Sequence, residues 1–180
     1  MSAYQKLESR FRRLAALQEA AGMLSWDMSA MMPPGGAAAR TEQLAALSVT
    51  CHELLAAPEL AELLDQASDE RAELDAWQRA NLAEMRRSWL HATALDAQLV
   101  EALSRAAKRC EMTWRVARPA ADFAMVLPAL SEVLTLVREA AQAKAEKLGV
   151  PPYDALLDEY EPGESSARID GIFDELAAFL

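Results

Sequence analysis

Apolar residues recur at alternating spacings of three and four through the first 31 residues of the chain. This period matches one face of an α-helix and conflicts with the two-residue period of a β-strand. Two prolines and two glycines follow at 33–36, where the prolines stop a helix and the glycines allow the chain to reverse. The sequence therefore predicts a long amphipathic helix whose apolar face comprises Tyr4, Leu7, Phe11, Leu14, Leu17, Ala21, Leu24, Met28 and Met31.

The choice of apolar residues extends this prediction to the whole chain. Its 180 residues include 38 Ala and 26 Leu but only 7 Val and 2 Ile. Ala and Leu are among the strongest helix formers, whereas β-branched residues are typical of strands. An all-β fold is thereby excluded, and a parallel sheet is disfavoured. Because the chain is long enough to bury a sizeable core, we expect an all-α protein with a single helical segment over 1–180.

Capping and helix-breaking residues divide the rest of the chain into further segments with helical periodicity. Proline suits the first turn of a helix, Ser, Thr and Asp suit the N-cap, and glycine suits the C-terminal end. We predict an antiparallel, bundle-like array of five to seven helices joined by short loops. The helices after the first are predicted over about 38–56 with a shorter continuation from Pro58, from Ser68 or Asp69 to about Ala92, from Thr93 or Asp96 to Pro119, from Pro128 in a first turn to Gly149, and from about Ser165 onward.

The charge of the chain limits the partners that it can bind. The sequence has 18 basic and 28 acidic residues, for a formal net charge of −10. Nucleic acids and anionic membrane surfaces attract basic faces, so we expect neither as a partner, and a DNA-binding helical regulator is disfavoured. The acidic excess is concentrated at 151–180, which carry eight acidic residues and a single basic one.

Cysteine use and hydropathy indicate a cytoplasmic protein. The only cysteines, Cys51 and Cys110, lie 59 positions apart, and neither has a metal-ligand spacing to another Cys or His. No apolar stretch approaches the roughly 20 residues that a membrane span needs. The first residues also lack the apolar core of a signal peptide. We therefore expect a reduced, cytoplasmic compartment.

The last segment has an apolar face that continues to the final residue. Chain ends are usually polar and frayed, so we expect these 180 residues to be the front part of a longer protein. The alternative is a terminal helix that docks in the core. The face comprises Ile169, Ile172, Phe173, Leu176, Phe179 and Leu180.

Residues close in sequence do not form a metal site or a catalytic constellation. His52 and Glu53 open a run similar to the zinc-binding HExxH, but its last position is Ala56. That motif needs two imidazoles one helical turn apart on one metal. His91 has no helical spacing to His52, so we expect both histidines to be structural or surface residues. Because no serine lies in a nucleophile elbow and both cysteines lie on apolar helix faces, we predict no catalytic residue and no metal ligand in this chain.

Two short stretches are harder to explain as helix surface alone. The first, SWDMSAMMPPGG at 25–36, places an aromatic ring and a carboxylate before a rigid turn. The second, PYDALLDEYEPG at 152–163, places two tyrosines and four carboxylates on a short turn of helix framed by prolines and glycine. Each stretch also has a purely structural explanation. In the first, Trp26 is a core residue and Asp27 a solvated helix residue. In the second, the carboxylates form a solvated acidic face.

These two stretches and the sequence between them closely resemble the N-terminal part of the thermostable metallocarboxypeptidases of the carboxypeptidase Taq family. The resemblance also runs through YQKLESRFRRLAALQEA, ANLAEMRRSW, the helix around His52 and WRVAR at 114–118. It covers the whole chain, but family members are considerably longer, so the chain resembles about their first third. The resemblance implies an almost wholly helical, cytosolic exopeptidase that removes single amino acids from peptide C-termini as a homodimer.

The resemblance also implies a metal, zinc or cobalt, held by HExxH histidines and a further Glu downstream of these 180 residues. No position here matches those ligands, so we expect the chain to hold no cofactor and to be inactive alone. The N-terminal part of such enzymes resembles a helical wall or lid over a substrate groove. From their place in the two matching stretches, we expect one side of that groove to be lined by Trp26, Asp27, Arg40, Tyr153, Asp154, Asp158 and Tyr160.

Composition and periodicity alone support a second interpretation equally well. In it, the chain is an all-α interaction module without catalytic activity, which binds partner helices through an amphipathic groove. An HExxH motif further along the reading frame favours the enzyme, whereas an immediate stop codon favours the module.

Overall fold

Eight α-helices and two short 3-10 helices, with no β-strand, form the computed structural model, which describes residues 1–180. The predicted all-α array is thereby confirmed, with eight α-helices where five to seven were predicted. Seven of the helices have 12 or more residues, and one has six. The 3-10 helices are Pro34–Gly36 and Glu70–Glu73. The α-helices are α1 (Ala3–Ala30), α2 (Ala37–Ala56), α3 (Pro58–Asp69), α4 (Ala76–Thr93), α5 (Ala97–Ala117), α6 (Phe123–Leu148), α7 (Pro152–Leu157) and α8 (Ser166–Phe179).

The bounds of α1 follow from local chemistry at both ends. Ser2 caps the helix: its side chain accepts a hydrogen bond from the Gln5 amide, and the Gln5 side chain accepts one from the Ser2 amide. This reciprocal pair satisfies two amides that have no partner inside the helix. At the other end the helix stops at Ala30, before the paired prolines, and the chain turns through Pro34–Gly36. The predicted long first helix is therefore confirmed.

The start of α4 differs from the prediction. Ser68 and Asp69 are not its N-cap, because both lie in the last turn of α3, where the Ser68 hydroxyl donates to the Leu64 carbonyl. The cap is Asp75, which forms a reciprocal pair with Gln78. The prediction was wrong because both sites carry capping residues and only packing selects between them. At the start of α5, by contrast, the predicted cap Asp96 is confirmed.

The start of α6 is also earlier than the prediction placed it. Pro128 does not lie in the first turn, because the helix begins at Phe123 with Asp122 as its N-cap. Pro128 therefore stands inside the helix, where it lacks the amide that would bond to the preceding turn. Before this cap, Ala121 adopts a left-handed backbone with φ 52°. The end of α6 at Gly149, with φ 71°, is as predicted.

The helices pack in an order that leaves the last one outside. Helix α5 packs between α2 and α6, α1 packs on α2 and α3, and α7 packs on α6, whereas α8 contacts α7. No residue of α8 is buried. The main core cluster lies between α1, α3 and α4 and comprises Ala3, Tyr4, Leu7, Leu60, Leu64, Ala67, Leu74, Leu82 and Met85.

Three arginines connect the helices through backbone carbonyls. Arg40 of α2 donates to the Leu24 carbonyl over 3.0 Å. Arg115 of α5 donates to the Met28 carbonyl over 2.7 Å. Each of these two guanidinium groups also binds a carboxylate, and Arg87 of α4 follows the same pattern at the end of α7. A planar guanidinium has enough donors to make both contacts at once.

None of the eight helices combines the length and the apolar character needed to cross a lipid bilayer.

Candidate functional site

The first group of predicted groove residues lies where α1 ends and α2 begins. Asp27 forms an ion pair with Arg40, and the Arg40 Nε also donates to Gln43 over 2.9 Å. Trp26 is 57% exposed and is therefore not a core residue. The ion pair holds the start of α2 against the last turns of α1, while the indole remains accessible.

The second group lies on α7 and the loop that follows it. Asp154 is buried, and its Oδ1 accepts a hydrogen bond from the Ser166 amide over 3.0 Å. This bond ties α7 to the first turn of α8. Tyr153 and Tyr160 are 69% and 82% exposed. The residues of this stretch therefore differ in their surroundings: the Asp154 carboxylate bonds within the protein, whereas both phenol rings are accessible to solvent.

Asp158 is the most extensively bonded member of the predicted set. Its Oδ2 lies 2.7 Å from His91 Nε2, and its Oδ1 accepts from the Gly163 amide over 2.8 Å. The Asp158 carbonyl accepts from Arg87 over 2.8 Å. Burial acts to raise the pKa of the Asp158 carboxyl, but the hydrogen bonds from His91 and Gly163 and the charge of Arg87 lower that pKa below its ordinary value. The carboxylate is therefore ionised at neutral pH and joins α4 to the loop after α7.

A second ion pair lies beside this one. Lys144 of α6 is buried and forms an ion pair with Glu159. The same Glu159 oxygen lies 4.0 Å from His91 Nδ1. That nitrogen is buried and has no hydrogen-bond partner. Opposite charges thus alternate along one wall formed by α4, α6 and the residues after α7.

This charged wall borders a cavity of about 520 Å³ between α1, α2, α4 and α5. The polar lining includes Arg87, His91, Lys144 and Glu159, and His52 lies on the same cavity. Apolar side chains supply much of the remaining lining, among them Leu47, Leu55, Leu95 and Val100. Cavities of this size with a few convergent polar groups are typical of small-molecule sites.

The structure does not join the two predicted groups to each other. Hydrogen bonds of Asp27 and Arg40 stay within α1 and α2, whereas those of Asp154 and Asp158 reach α4 and α8. Sequence reasoning also missed the neighbours of Asp158, namely Arg87, His91, Lys144 and Glu159. A usable signal was present for the first two, because Arg87 and His91 are four residues apart and lie on the same face of α4.

The residues of this chain do not fit a metal ion. Although His52 and His91 line the same cavity, no group of three or more His, Cys, Asp or Glu side chains is placed to hold one.

Known proteins match the chain along nearly its whole length. The family model described as carboxypeptidase Taq (M32) metallopeptidase matches residues 6–180. Thermostable carboxypeptidase 1 of Thermus thermophilus is 33% identical over 97% of this chain, and the Pyrococcus furiosus protein of the same name is 30% identical over 96%. Among solved structures, metallocarboxypeptidase 1 of Trypanosoma cruzi matches 99% of this chain with a TM-score of 0.81 and 35% identity.

These matches cover only part of each relative. The chain spans about a third of their length, at 36%, 34% and 36% of the three proteins respectively. Within that third, about a third of the residues are identical to those of the relatives. The chain therefore belongs to the carboxypeptidase Taq (M32) metallopeptidase family.

Proposed function

We propose that this chain forms the N-terminal helical wall of a metal-dependent carboxypeptidase that releases single amino acids from peptide C-termini. The observation that carries this proposal is the family match over residues 6–180, together with relatives named as carboxypeptidases. In this proposal the remainder of the peptidase fold, about two thirds of the length of the relatives, supplies the catalytic machinery. That machinery includes an HExxH motif and a zinc or cobalt ion.

The 180 residues on their own are proposed to be inactive. Metal-dependent peptide hydrolysis needs a metal to activate water and polarise the scissile carbonyl. This part of the proposal is supported by the ligand chemistry of the chain, since His52 has Ala56 where HExxH needs its second histidine. It is supported further because no group of three or more His, Cys, Asp or Glu side chains is placed to hold a metal ion.

The contribution of this chain to the enzyme is proposed to be one side of the substrate groove. Trp26, Tyr153 and Tyr160 suit this role because their rings are exposed and can pack on a peptide. Asp27 and Arg40 hold each other in place beside Trp26. In the same proposal Asp154 and Asp158 position the tyrosine-bearing segment, because their carboxylates bond within the protein. The active enzyme is proposed to be a cytoplasmic homodimer.

Three proteins test this proposal side by side: the 180-residue chain, the Thermus thermophilus carboxypeptidase, and a chimaera in which this chain replaces the matching third of that enzyme. Release of C-terminal amino acids is measured with added zinc or cobalt and with a chelator. We expect chelator-sensitive release by the second and third proteins only. Chelator-sensitive release by the 180-residue chain contradicts its proposed inactivity, and a folded but inactive chimaera contradicts its role as a wall.

A matched pair of tryptophan variants in the chimaera tests the groove. Trp26→Ala is expected to raise KM several-fold, because it removes an exposed ring from the proposed peptide path. Trp77→Ala is the control, since Trp77 is 84% exposed and lies outside both matching stretches. Equal KM values for the two variants contradict the placement of Trp26 in the groove.

The exposed face of α8 favours a second candidate function, an all-α interaction module. Ile172, Phe173 and Leu176 are between 48% and 60% exposed, and Phe179 and Leu180 are more exposed still. Contiguous apolar patches of this kind mark sites of protein association. Light scattering of the 180-residue chain at rising concentration tests whether this face is uncovered, and a strictly monomeric chain counts against an uncovered face.

A further inference from the structure

The cavity beside Asp158 has a chemical pattern that the proposed function does not use. It is bordered by side chains from α1, α2, α4, α5 and α6 and from the segment after α7. None of the seven residues proposed to line the groove lines this cavity. Its volume of about 520 Å³ is within the usual range for small-molecule sites.

The two cations on its polar wall, Lys144 and Arg87, have more N–H donors than their contacts within the protein use. The Lys144 side chain is only 7% exposed, and its one ion pair is with Glu159. An ammonium carries three donors, and burying it is costly unless its donors find acceptors. Arg87 uses three nitrogens on Glu84 and on the Asp158 carbonyl, but a guanidinium offers five N–H groups. Both side chains can therefore donate hydrogen bonds to an anionic group of a ligand.

The same wall also has an acceptor without a donor. A carboxylate only accepts hydrogen bonds, so the hydrogen between His91 and Asp158 lies on His91 Nε2. In the neutral ring, Nδ1 is then a lone-pair acceptor, and it is buried without a partner. The nearest carboxylate oxygen, on Glu159, is itself an acceptor and lies 4.0 Å away. A ligand group that donates hydrogen bonds satisfies His91 Nδ1, and it can share Glu159 with Lys144.

We propose that this cavity binds a free amino acid with an apolar side chain. The ammonium group of the ligand donates to His91 Nδ1 and to Glu159. Its carboxylate accepts from Lys144 and Arg87. Its side chain packs on the apolar part of the lining, which includes Leu47, Leu55, Leu95 and Val100. The inference goes beyond the proposed function, because it concerns binding by these 180 residues and not peptide hydrolysis.

Ligands of a single charge fit this wall less well. A simple anion such as phosphate meets the cations but leaves His91 Nδ1 without a donor. A simple cation meets His91 Nδ1 and Glu159 but faces the charges of Lys144 and Arg87. A zwitterion complements both halves of the wall, and an apolar side chain matches the rest of the lining.

Calorimetric titration of the 180-residue chain with L-leucine tests this inference. We expect saturable binding with one ligand per chain. Leucinamide, which lacks the carboxylate, and N-acetyl-leucine, which lacks the ammonium group, are each expected to bind at least about tenfold more weakly, which corresponds to about 1.4 kcal/mol. Absence of saturable leucine binding, or equal binding of all three compounds, overturns the inference.

A pair of lysine variants locates the binding site. Lys144→Met is expected to weaken leucine binding at least about tenfold, since it removes the ammonium from the polar wall. Lys147→Met is the matched control, because Lys147 lies on the same helix with its ammonium over the Trp89 ring. Equal leucine affinity in the two variants overturns the assignment to this cavity. The ligand series uses the unmodified chain, so it decides the inference even where a variant fails to fold. Failure of either test leaves the proposed peptidase function standing, because that function is read out as hydrolysis.

Discussion

Replacing Asp158 by Asn is expected to lower the free energy of unfolding, because the carboxylate bonds to two donors within the protein. The carboxylate accepts two hydrogen bonds, from His91 at 2.7 Å and from Gly163 at 2.8 Å, with its side chain only 18% exposed. Asn keeps the size but removes the charge, and its amide nitrogen cannot accept from one of the two donors. A hydrogen bond to a charged group is worth about 1 kcal/mol more than a neutral one. We therefore expect a loss of about 2 kcal/mol, or about 4–8 °C in Tm for a chain of this size.

Urea unfolding of the 180-residue chain, followed by circular dichroism at pH 7 and at lower pH, measures this loss. The pKa of Asp158 is lowered in the folded state. Its ionised form therefore stabilises the fold above the ordinary Asp pKa of about 3.9, and this contribution is lost as the pH falls through the folded-state pKa. The difference in unfolding free energy between the parent and Asp158→Asn is full at pH 7 and narrows only as the pH falls below about 3.9 and through the folded-state pKa. The control is Asp170→Asn on α8, an exposed carboxylate. A loss at pH 7 no larger than that of the control refutes the reasoning.

Three further predictions concern the core, α6 and the cysteines. Leu64→Ala is expected to lower the unfolding free energy measured by urea denaturation by about 2–5 kcal/mol, because Leu64 is fully buried. The control Leu130→Ala is expected to lower it by under about 1 kcal/mol, because Leu130 is 42% exposed. Pro128→Ala is expected to raise the unfolding free energy by about 1–2 kcal/mol, since it restores an amide inside the helix, and an unchanged or lower value contradicts this reading. Burial raises the pKa of the Cys51 thiol. Iodoacetamide is therefore expected to label Cys51 more slowly than the less buried Cys110, as detected by mass spectrometry. Faster labelling of Cys51 counts against its buried placement.

The helical architecture could be predicted from the sequence wherever local chemistry had a single answer. The end of α1 at a run of two prolines and two glycines and the end of α6 at Gly149 are of this kind. The prediction failed where two signals competed over a short distance. The N-cap of α4 is Asp75 and not Ser68. Helix α6 begins after Asp122, so Pro128 lies inside it. Those choices depend on packing against neighbouring helices, which a periodic pattern does not contain.

The candidate site was less predictable, because its contacts join residues far apart in the chain. Asp158 and His91 are separated by 67 positions, and their contact depends on how α4 meets the segment after α7. The sequence indicated an unusual acidic stretch but not which of its carboxylates turn inward. Asp154 and Asp158 do so because a backbone amide is available to each, from Ser166 and Gly163. Spacing along a helix gives no information about such partners.

The arginines that reach from one helix to a carbonyl of another bear on how this sequence can vary. The chain has 14 arginines and only 4 lysines, and Arg40, Arg87 and Arg115 each bind a carboxylate and a main-chain oxygen together. A lysine at these positions keeps the charge but has a single nitrogen, so it cannot span both acceptors with the same geometry. Exchange of arginine for lysine leaves the net charge and the isoelectric point almost unchanged. We therefore expect this exchange to be tolerated elsewhere on the surface and selected against at these three positions.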